Sequence, residues 1–272
     1  MEKIKSTLTE IPETMLTTLW AKAVETDCPD PLLRDEKAKE IIGQIEYDFS
    51  KFQKAKLSQL GCCIRAKLID NEARDFLAQH PDAVVIQLGA GLDARYERLG
   101  RPMVTHWFDL DLKESIDLRR HFLTETERNT YLAESMFDED WLDKVRAYDK
   151  PVLIILEGVL MYFSQVEVQT LFQKICDKLP SATVLFDMLA FAFVGREQQH
   201  DMLRKMDKGV KFKWSLLKAK DMERWNSRLH VKEELFMGDY DEGRFPFVFH
   251  LFLRIPYIHR RFNQRIIKIE VE

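Results

Sequence analysis

Between residues 83 and 189 the chain alternates short, unbroken apolar runs with longer stretches in which apolar positions return every three or four residues. The runs are AVVIQLG (83–89), VTHWFDLDL (104–112), PVLIILEG (151–158) and ATVLFDML (182–189). Continuous apolar runs without alternation predict strands covered on both faces, hence a parallel sheet between helix layers. Of the intervening stretches, IDLRRHFLTETERNTYL (116–132) reads as an amphipathic helix. SQVEVQTLFQKICDKLP (164–180) opens with the capping-box pair Ser164 and Glu167 and sets Val168, Leu171, Phe172, Ile175 and Leu179 on one face before Pro180 stops it. Before residue 83 no strand pattern occurs. ETMLTTLWAKAVET (13–26) places Met15, Leu16, Leu19 and Ala23 at helical spacing beside Trp20, a second helix begins near Asp35, and KAKLSQLGCCIRAKLIDNEARDFLAQH (54–80) reads as a long helix ended by Pro81. After residue 189 the pattern returns to helix over 190–230, and the tail, FPFVFHLFLRI (245–255) and NQRIIKIEVE (263–272), reads as two antiparallel edge strands. The expectation is an α/β fold with a doubly wound, mostly parallel sheet, an antiparallel C-terminal edge, a helical N-terminal extension (1–80) and a helical insertion (190–235). One domain spans 1–272, its ligand-binding core at 83–189 and its C-terminal strands at 236–272.

Composition narrows the function class more than the fold. The 272 residues are 46% hydrophobic and 32% charged, with a net charge of −4 and both signs interspersed. No basic stripe marks a nucleic-acid protein; the short cluster HRRFNQR (259–265) reads as a solvated strand edge. No run reaches the roughly 18–20 apolar residues of a membrane helix, and the longest, VLIILEGVLMYF, is broken by Glu157 and Gly158. The N-terminus lacks the apolar core of a signal peptide, so a cytoplasmic protein without membrane partners is expected. Cys28, Cys62, Cys63 and Cys176 form no CxxC pair and read as reduced thiols, and the seven histidines show no HxH or HExxH spacing. No metal site is expected.

The chemistry gathers at one turn. GAGLDA (89–94) follows the first apolar run and has the G-x-G-x-x-A spacing of a nucleotide-binding strand-to-helix turn. Gly89 and Gly91 allow positive φ and close backbone approach. Asp109 and Asp111 lie 20 and 22 residues beyond Gly89, where a carboxylate accepts from ribose hydroxyls. Asp111, at the strand end, is the better placed. Glu157 ends an all-apolar strand at the same edge of the sheet, and Tyr162 follows it toward the cleft. These residues point to a nucleoside-containing ligand, a nicotinamide dinucleotide or S-adenosylmethionine, and leave that choice open.

Six blocks in order resemble the leucine carboxyl methyltransferase family. They are ETMLTTLWAKAVET with EYDFSKF, IRAKLID, VVIQLGAGLDARYERL, WFDLDLKESIDLRR, AESMFDEDW and LEGVLMYF, and they span about residues 10 to 165. The blocks sit nearest to a branch that methylates a polyketide carboxyl group. The resemblance implies a Rossmann-like class I methyltransferase fold and S-adenosyl-L-methionine as cofactor. It implies that Lys22 and Arg65 approach the carboxylate of the methionine moiety, that Leu88, Gly89, Ala90 and Gly91 meet the cofactor through backbone, and that Asp111, with Leu112 beside it, holds the ribose. Ser135 and Met136 would lie beside the adenine, Glu157 at the methionine amino end, and Tyr162 near the transferred methyl; Arg65 and Tyr162 are the candidate catalytic residues. The chain departs from the family at Lys113, where proline is frequent, at Ser135, where aspartate is frequent, and at Lys22, where arginine is frequent and would pair in bidentate fashion. The implied reaction is O-methylation of a carboxylate on a small molecule. Alternatives are methylation of a protein C-terminal carboxylate, nicotinamide-dependent oxidoreduction, and nucleoside binding without catalysis. Arg65 has a competing reading as a helix-surface ion pair with Asp70 or Glu72. The aromatics Phe191, Phe193, Trp214, Trp225 and Phe245 are candidate lining for the acceptor, each with core packing as the alternative.

Overall fold

The apolar runs do form the centre of a sheet. The computed structural model describes residues 4–5, 10–196, 211–240 and 242–272. Its seven main strands are β1 (Val84–Leu88), β2 (His106–Asp111), β3 (Asn129–Ala133), β4 (Val152–Leu156), β5 (Ala182–Met188), β6 (Leu229–Phe236) and β7 (Arg265–Val271), in the order β3-β2-β1-β4-β5-β7-β6. The first five are parallel, and β7 runs antiparallel to both β5 and β6. The order reverses between β1 and β4, which makes the carboxyl ends of these strands the switch point of the sheet. Register fixes what meets there. Leu88 pairs with Leu110 on one side and Leu156 on the other, so Gly89, Asp111 and Glu157 each stand one residue beyond a shared row.

Both faces are covered. One packs α6 (Asp140–Arg146) and α7 (Gln165–Lys178) through Trp141, Val168, Leu171, Phe172 and Ile175. The other packs α3 (Lys56–Gln79) through Leu60, Ile64, Leu68 and Phe76. α3 in turn carries α1 (Glu10–Thr26), α1 packs α2 (Glu36–Gln44), and the short α4 (Arg95–Arg98) touches α2. α7 begins with both halves of the expected capping box, Ser164 and Glu167, in place. The four cysteines are free thiols.

Several expectations are corrected. The stretch 116–132 is not one helix: α5 covers only Lys113–Arg119, and the end of the stretch is the start of β3. Among the described residues no α-helix lies in 190–235. That span holds 3-10 turns at Phe191–Phe193 and Ala219–Arg224 and then β6 (residues 197–210 fall outside the described ones). β6 hides its strand character because it is a sheet edge, where Lys232 is exposed and the half-buried Glu233 and Glu234 face Lys268 and Arg265 of β7. The partner of β7 is therefore β6 and not 245–255, which folds as α8 (Phe247–Leu253) followed by α9 (Pro256–Phe262). β7 is interior, not an edge. Residues 259–262 of the basic cluster belong to the end of α9, while Arg265 is buried in β7. A two-residue parallel bridge, Ile4–Lys5 with Ile45–Glu46, also forms ahead of residue 83.

Candidate active site

A cavity of about 1090 Å³ opens at the switch point. Its polar end is built by the turn after β1. Gly89 and Gly91 take φ of +69° and +50°, values that an L side chain adopts only under strain. A Cβ at Gly89 would stand 2.4 Å from Val159 Cγ2, so the glycine is required by packing as well as by conformation. A Gly89→Val change would therefore damage the strand end itself and not ligand contact alone. The turn is laced to β2: Ala90 N–H donates to Leu110 O (3.0 Å), and Gly91 N–H donates to Asp111 Oδ2 (2.7 Å). Asp111 Oδ1 accepts from Leu112 N–H (2.7 Å). Burial raises the Asp111 carboxyl, against the pull of these donors. Asp109, two residues back, is fully buried and committed to Arg119, Asn129 and Trp107. Of the two acids, only Asp111 reaches the cavity.

Beside the turn lies a buried lattice of charge. Lys22 from α1 meets Asp93 Oδ1 at 2.5 Å, Gln87 Nε2 donates to Asp93 Oδ2 at 3.0 Å, and Arg98 Nη1 reaches Asp93 Oδ1 at 2.8 Å. Burial opposes ionisation of Asp93, yet Arg98, Lys22 and Arg95 outweigh it and hold the carboxyl well below the usual range. Glu157 behaves alike: burial works against Arg95, Lys22 and Arg65, which win and lower it. Arg65 Nε lies 3.1 Å from Glu157 Oε1, and Nη1 lies 3.3 Å from Asp187 Oδ2. The guanidinium also packs on Gly158 (φ +72°), where an added Cβ would stand 3.1 Å from Arg65 Nη2. Neither sequence alternative for Arg65 forms: Asp70 binds Arg95 and Arg98, and Glu72 binds Lys268.

The far side of the turn is lined by Leu112, Ser135 and Met136. The Ser135 hydroxyl accepts from Phe137 N–H (3.1 Å), so it caps its own loop. Beyond Tyr162 the cavity becomes aromatic, walled by Phe193, Phe212, Phe245, Phe249 and Phe262 with Leu189 and Met237. Tyr162 stacks on Phe212, bonds to Thr14 and has its phenol pushed up to about 12 by burial.

Lys22, Arg65, Gly89, Ala90, Gly91, Asp111, Leu112, Ser135, Met136, Glu157 and Tyr162 thus share one cavity wall. Leu88 does not: it is enclosed between its neighbours in the sheet. Of the aromatic candidates only Phe193 and Phe245 line the cavity. Trp214 and Trp225 pack on Phe186 and Phe172 in the core, and Phe191 faces solvent. Asp93, Gln87 and Asp187 were not singled out from sequence. Asp93 stands inside the glycine turn and carried a signal there; Asp187 sits in an apolar strand, where an unexplained acid is itself a signal.

Comparison with known proteins gives a consistent picture. Residues 15–176 match the leucine carboxyl methyltransferase family. The tetracenomycin polyketide synthesis O-methyltransferase TcmP of Streptomyces glaucescens is 32% identical over 85% of this chain and 85% of its own length. The S-adenosyl-L-methionine-dependent methyltransferase dpfgK of Gibberella zeae is 29% identical over 87% of this chain and 86% of its own. Among solved structures, the small RNA methyltransferase HEN1 shares the fold at a TM-score of 0.50 and 13% identity, over 76% of this chain and 25% of that one.

Proposed function

Because the chain belongs to the leucine carboxyl methyltransferase family, we propose that it methylates a carboxylate oxygen of a small apolar acid, polyketide-like in size, using S-adenosyl-L-methionine. Membership sets aside the nicotinamide alternative. The wall residues suit this cofactor. Asp111 has lone pairs for two ribose hydroxyls. Lys22 and Arg65 lie opposite Asp93 and Glu157, an arrangement of both signs for the two charges of an amino acid. The Gly89–Gly91 backbone admits close approach, and Ser135 and Met136 flank the place for the base. When bound, the cofactor supplies an electrophilic methyl group on a sulfonium.

One observation carries the acceptor reading: the cavity is charged at the end beside Gly89 and aromatic beyond Tyr162. An apolar acid fits that polarity, with its body among the phenylalanines and its carboxylate drawn toward Arg65. A carboxylate, ordinarily near pKa 4, arrives ionised and needs no base. Among the described residues that line the cavity none suits: Tyr162 stays protonated to about 12, and Glu157 and Asp93 are bound to cations. What these residues contribute is alignment and exclusion of water, a role worth up to roughly 7–11 kcal/mol in favourable systems.

The test is a panel of polycyclic aromatic acids and their phenol-only counterparts with methyl-labelled cofactor. The expected product is an ester that releases labelled methanol in mild alkali, formed at a rate nearly flat from about pH 6 to 9. Alkali-stable ethers formed only from the phenols, or labelling of peptide C-termini alone, would overturn the acceptor assignment.

A further inference from the structure

The helical hairpin at the cavity carries more apolar surface outward than the site uses. Phe249 of α8 and Phe262 of α9 line the cavity wall, and Leu253 is buried. On the outside, Phe247 and Tyr257 are 75% and 64% exposed, and Val248, Leu251, Phe252 and Ile255 are 49–63% exposed. Six large apolar side chains thus face water within residues 247–257, where a soluble surface ordinarily scatters them singly. Basic groups frame them. Arg254 and Arg260 are exposed and form no ion pair among the described residues, and Arg261 stacks on Tyr257 at 3.9 Å. In a chain of net charge −4 this patch runs against the overall sign.

We propose that α8 and α9 dock on an anionic lipid surface and seat the cavity beside the bilayer interface. The chemistry of the patch selects that occupant. Apolar side chains enter the acyl boundary while guanidinium groups meet lipid phosphates, the combination by which interfacial helices bind. A second copy of the chain fits poorly. A two-fold interface sets the same patch against itself, which would bring Arg254 and Arg260 toward their own copies, while the acid seated on α9 among the described residues, Asp239, is already taken by His259. An acidic protein would match the charge, but it would have to supply every wall around rings that this chain leaves largely bare. A fluid acyl layer surrounds them without shape matching. No helix of the described residues is long and apolar enough to cross a membrane, so the contact is peripheral. Its use rests on the acceptor reading above: an apolar acid partitions into the same interface onto which the cavity would face.

The measurement needs neither cofactor nor acceptor, so it stands or falls separately from the catalytic reading. The full chain is sedimented with vesicles of phosphatidylglycerol and phosphatidylcholine, and with phosphatidylcholine alone, while its oligomeric state is followed by sedimentation velocity. Binding to the anionic vesicles is expected, with little to the neutral ones. The double change Phe247→Ser with Phe252→Ser, and separately Arg254→Glu with Arg260→Glu, should each lower the partition coefficient about tenfold or more, with circular dichroism and calorimetric cofactor binding unchanged. No partition of the wild-type chain sinks the proposal, as does anionic binding that both variants retain. A concentration-dependent dimer that Phe247→Ser with Phe252→Ser dissolves would assign the patch to a second copy instead, and retention on an acidic polypeptide without vesicle binding would assign it to a protein.

Discussion

Asp187 does more for the site than its place inside an apolar strand suggests. Its Oδ1 accepts from Gly158 N–H (2.5 Å), and its Oδ2 accepts from Gln264 Nε2 (2.8 Å) and faces Arg65 Nη1 (3.3 Å). One buried carboxylate therefore ties the end of β5 to the turn after β4, to the segment entering β7 and to α3. Asp187→Ala would leave Arg65 with Glu157 alone and strip Gly158 N–H of its acceptor. The expected loss is about 3 kcal/mol, the low end for breaking a buried pair because Glu157 remains, read from urea unfolding; a loss under about 1 kcal/mol would mean the network is not structural. Asp111 offers the complementary experiment. Asp111→Asn keeps the shape and removes the charge, so cofactor affinity should fall roughly 10- to 100-fold by calorimetry, and unchanged affinity would remove Asp111 from the ribose. The two acids also differ in how visible they are. Asp111 is the last residue of its strand, Gly89 and Glu157 each stand one residue past theirs, and a strand end can be read from a local pattern. Asp187 and Arg65 lie 122 positions apart and Lys22 and Asp93 lie 71 apart, and only the folded sheet brings such pairs together.

Among the elements, α7 was the most legible, because cap, apolar face and stop all agree within seventeen residues. That agreement makes its cap a clean probe. Ser164 accepts from Glu167 N–H, and Glu167 returns a bond to Ser164 N–H at 2.7 Å. Ser164→Ala should cost about 1 kcal/mol of stability and leave methyl transfer unchanged, since α7 shows the cavity none of its residues; a fall in turnover would show that α7 helps to shape the site. β1, β2, β4 and β5 were legible for a related reason, burial on both faces, which writes a run of apolar residues. β3 and β6 were not, because they are the sheet edges: β6 carries Lys232, Glu233 and Glu234 together, and its pairing with β7 slips between Val231 and Glu233. The α8 segment failed in the opposite sense. A short run of continuous apolar residues does not distinguish strand from helix by periodicity, and this one is apolar on a side that faces water.

At the scale of the whole molecule, the buried carboxyls divide into two sets with opposite effects on stability. Asp70, Asp93 and Glu157 resist burial through Arg95, Arg98, Lys22 and Arg65 and lie below the usual range. A group lowered in the folded state stabilises above its ordinary pKa, near 4, and that contribution is lost as pH falls through the ordinary pKa and on toward the folded one. Asp111, Asp187 and Glu97 lie above the usual range, chiefly through desolvation. The sign reverses for them: the folded chain takes up their protons first, so stability grows as pH falls from their raised values toward the ordinary ones. The two windows do not coincide. From neutrality down to about pH 5 the three raised acids gain against one opposing group, His106, whose burial lowers it and favours its neutral form, so stability should hold or rise slightly; below about pH 4 the lowered set should dominate and stability should fall steeply. Melting temperature measured from pH 3 to 9 should therefore pass through a shallow maximum on the acid side of neutrality. Asp187→Asn, which removes one raised acid, should flatten the acid-side rise while leaving the steep fall in place. A melting temperature that declines steadily from pH 8 to 5 in the wild type and in His106→Gln alike would mean that Asp111, Asp187 and Glu97 are not desolvated as the fold implies, and the charged end of the cavity would then be open to water rather than walled from it.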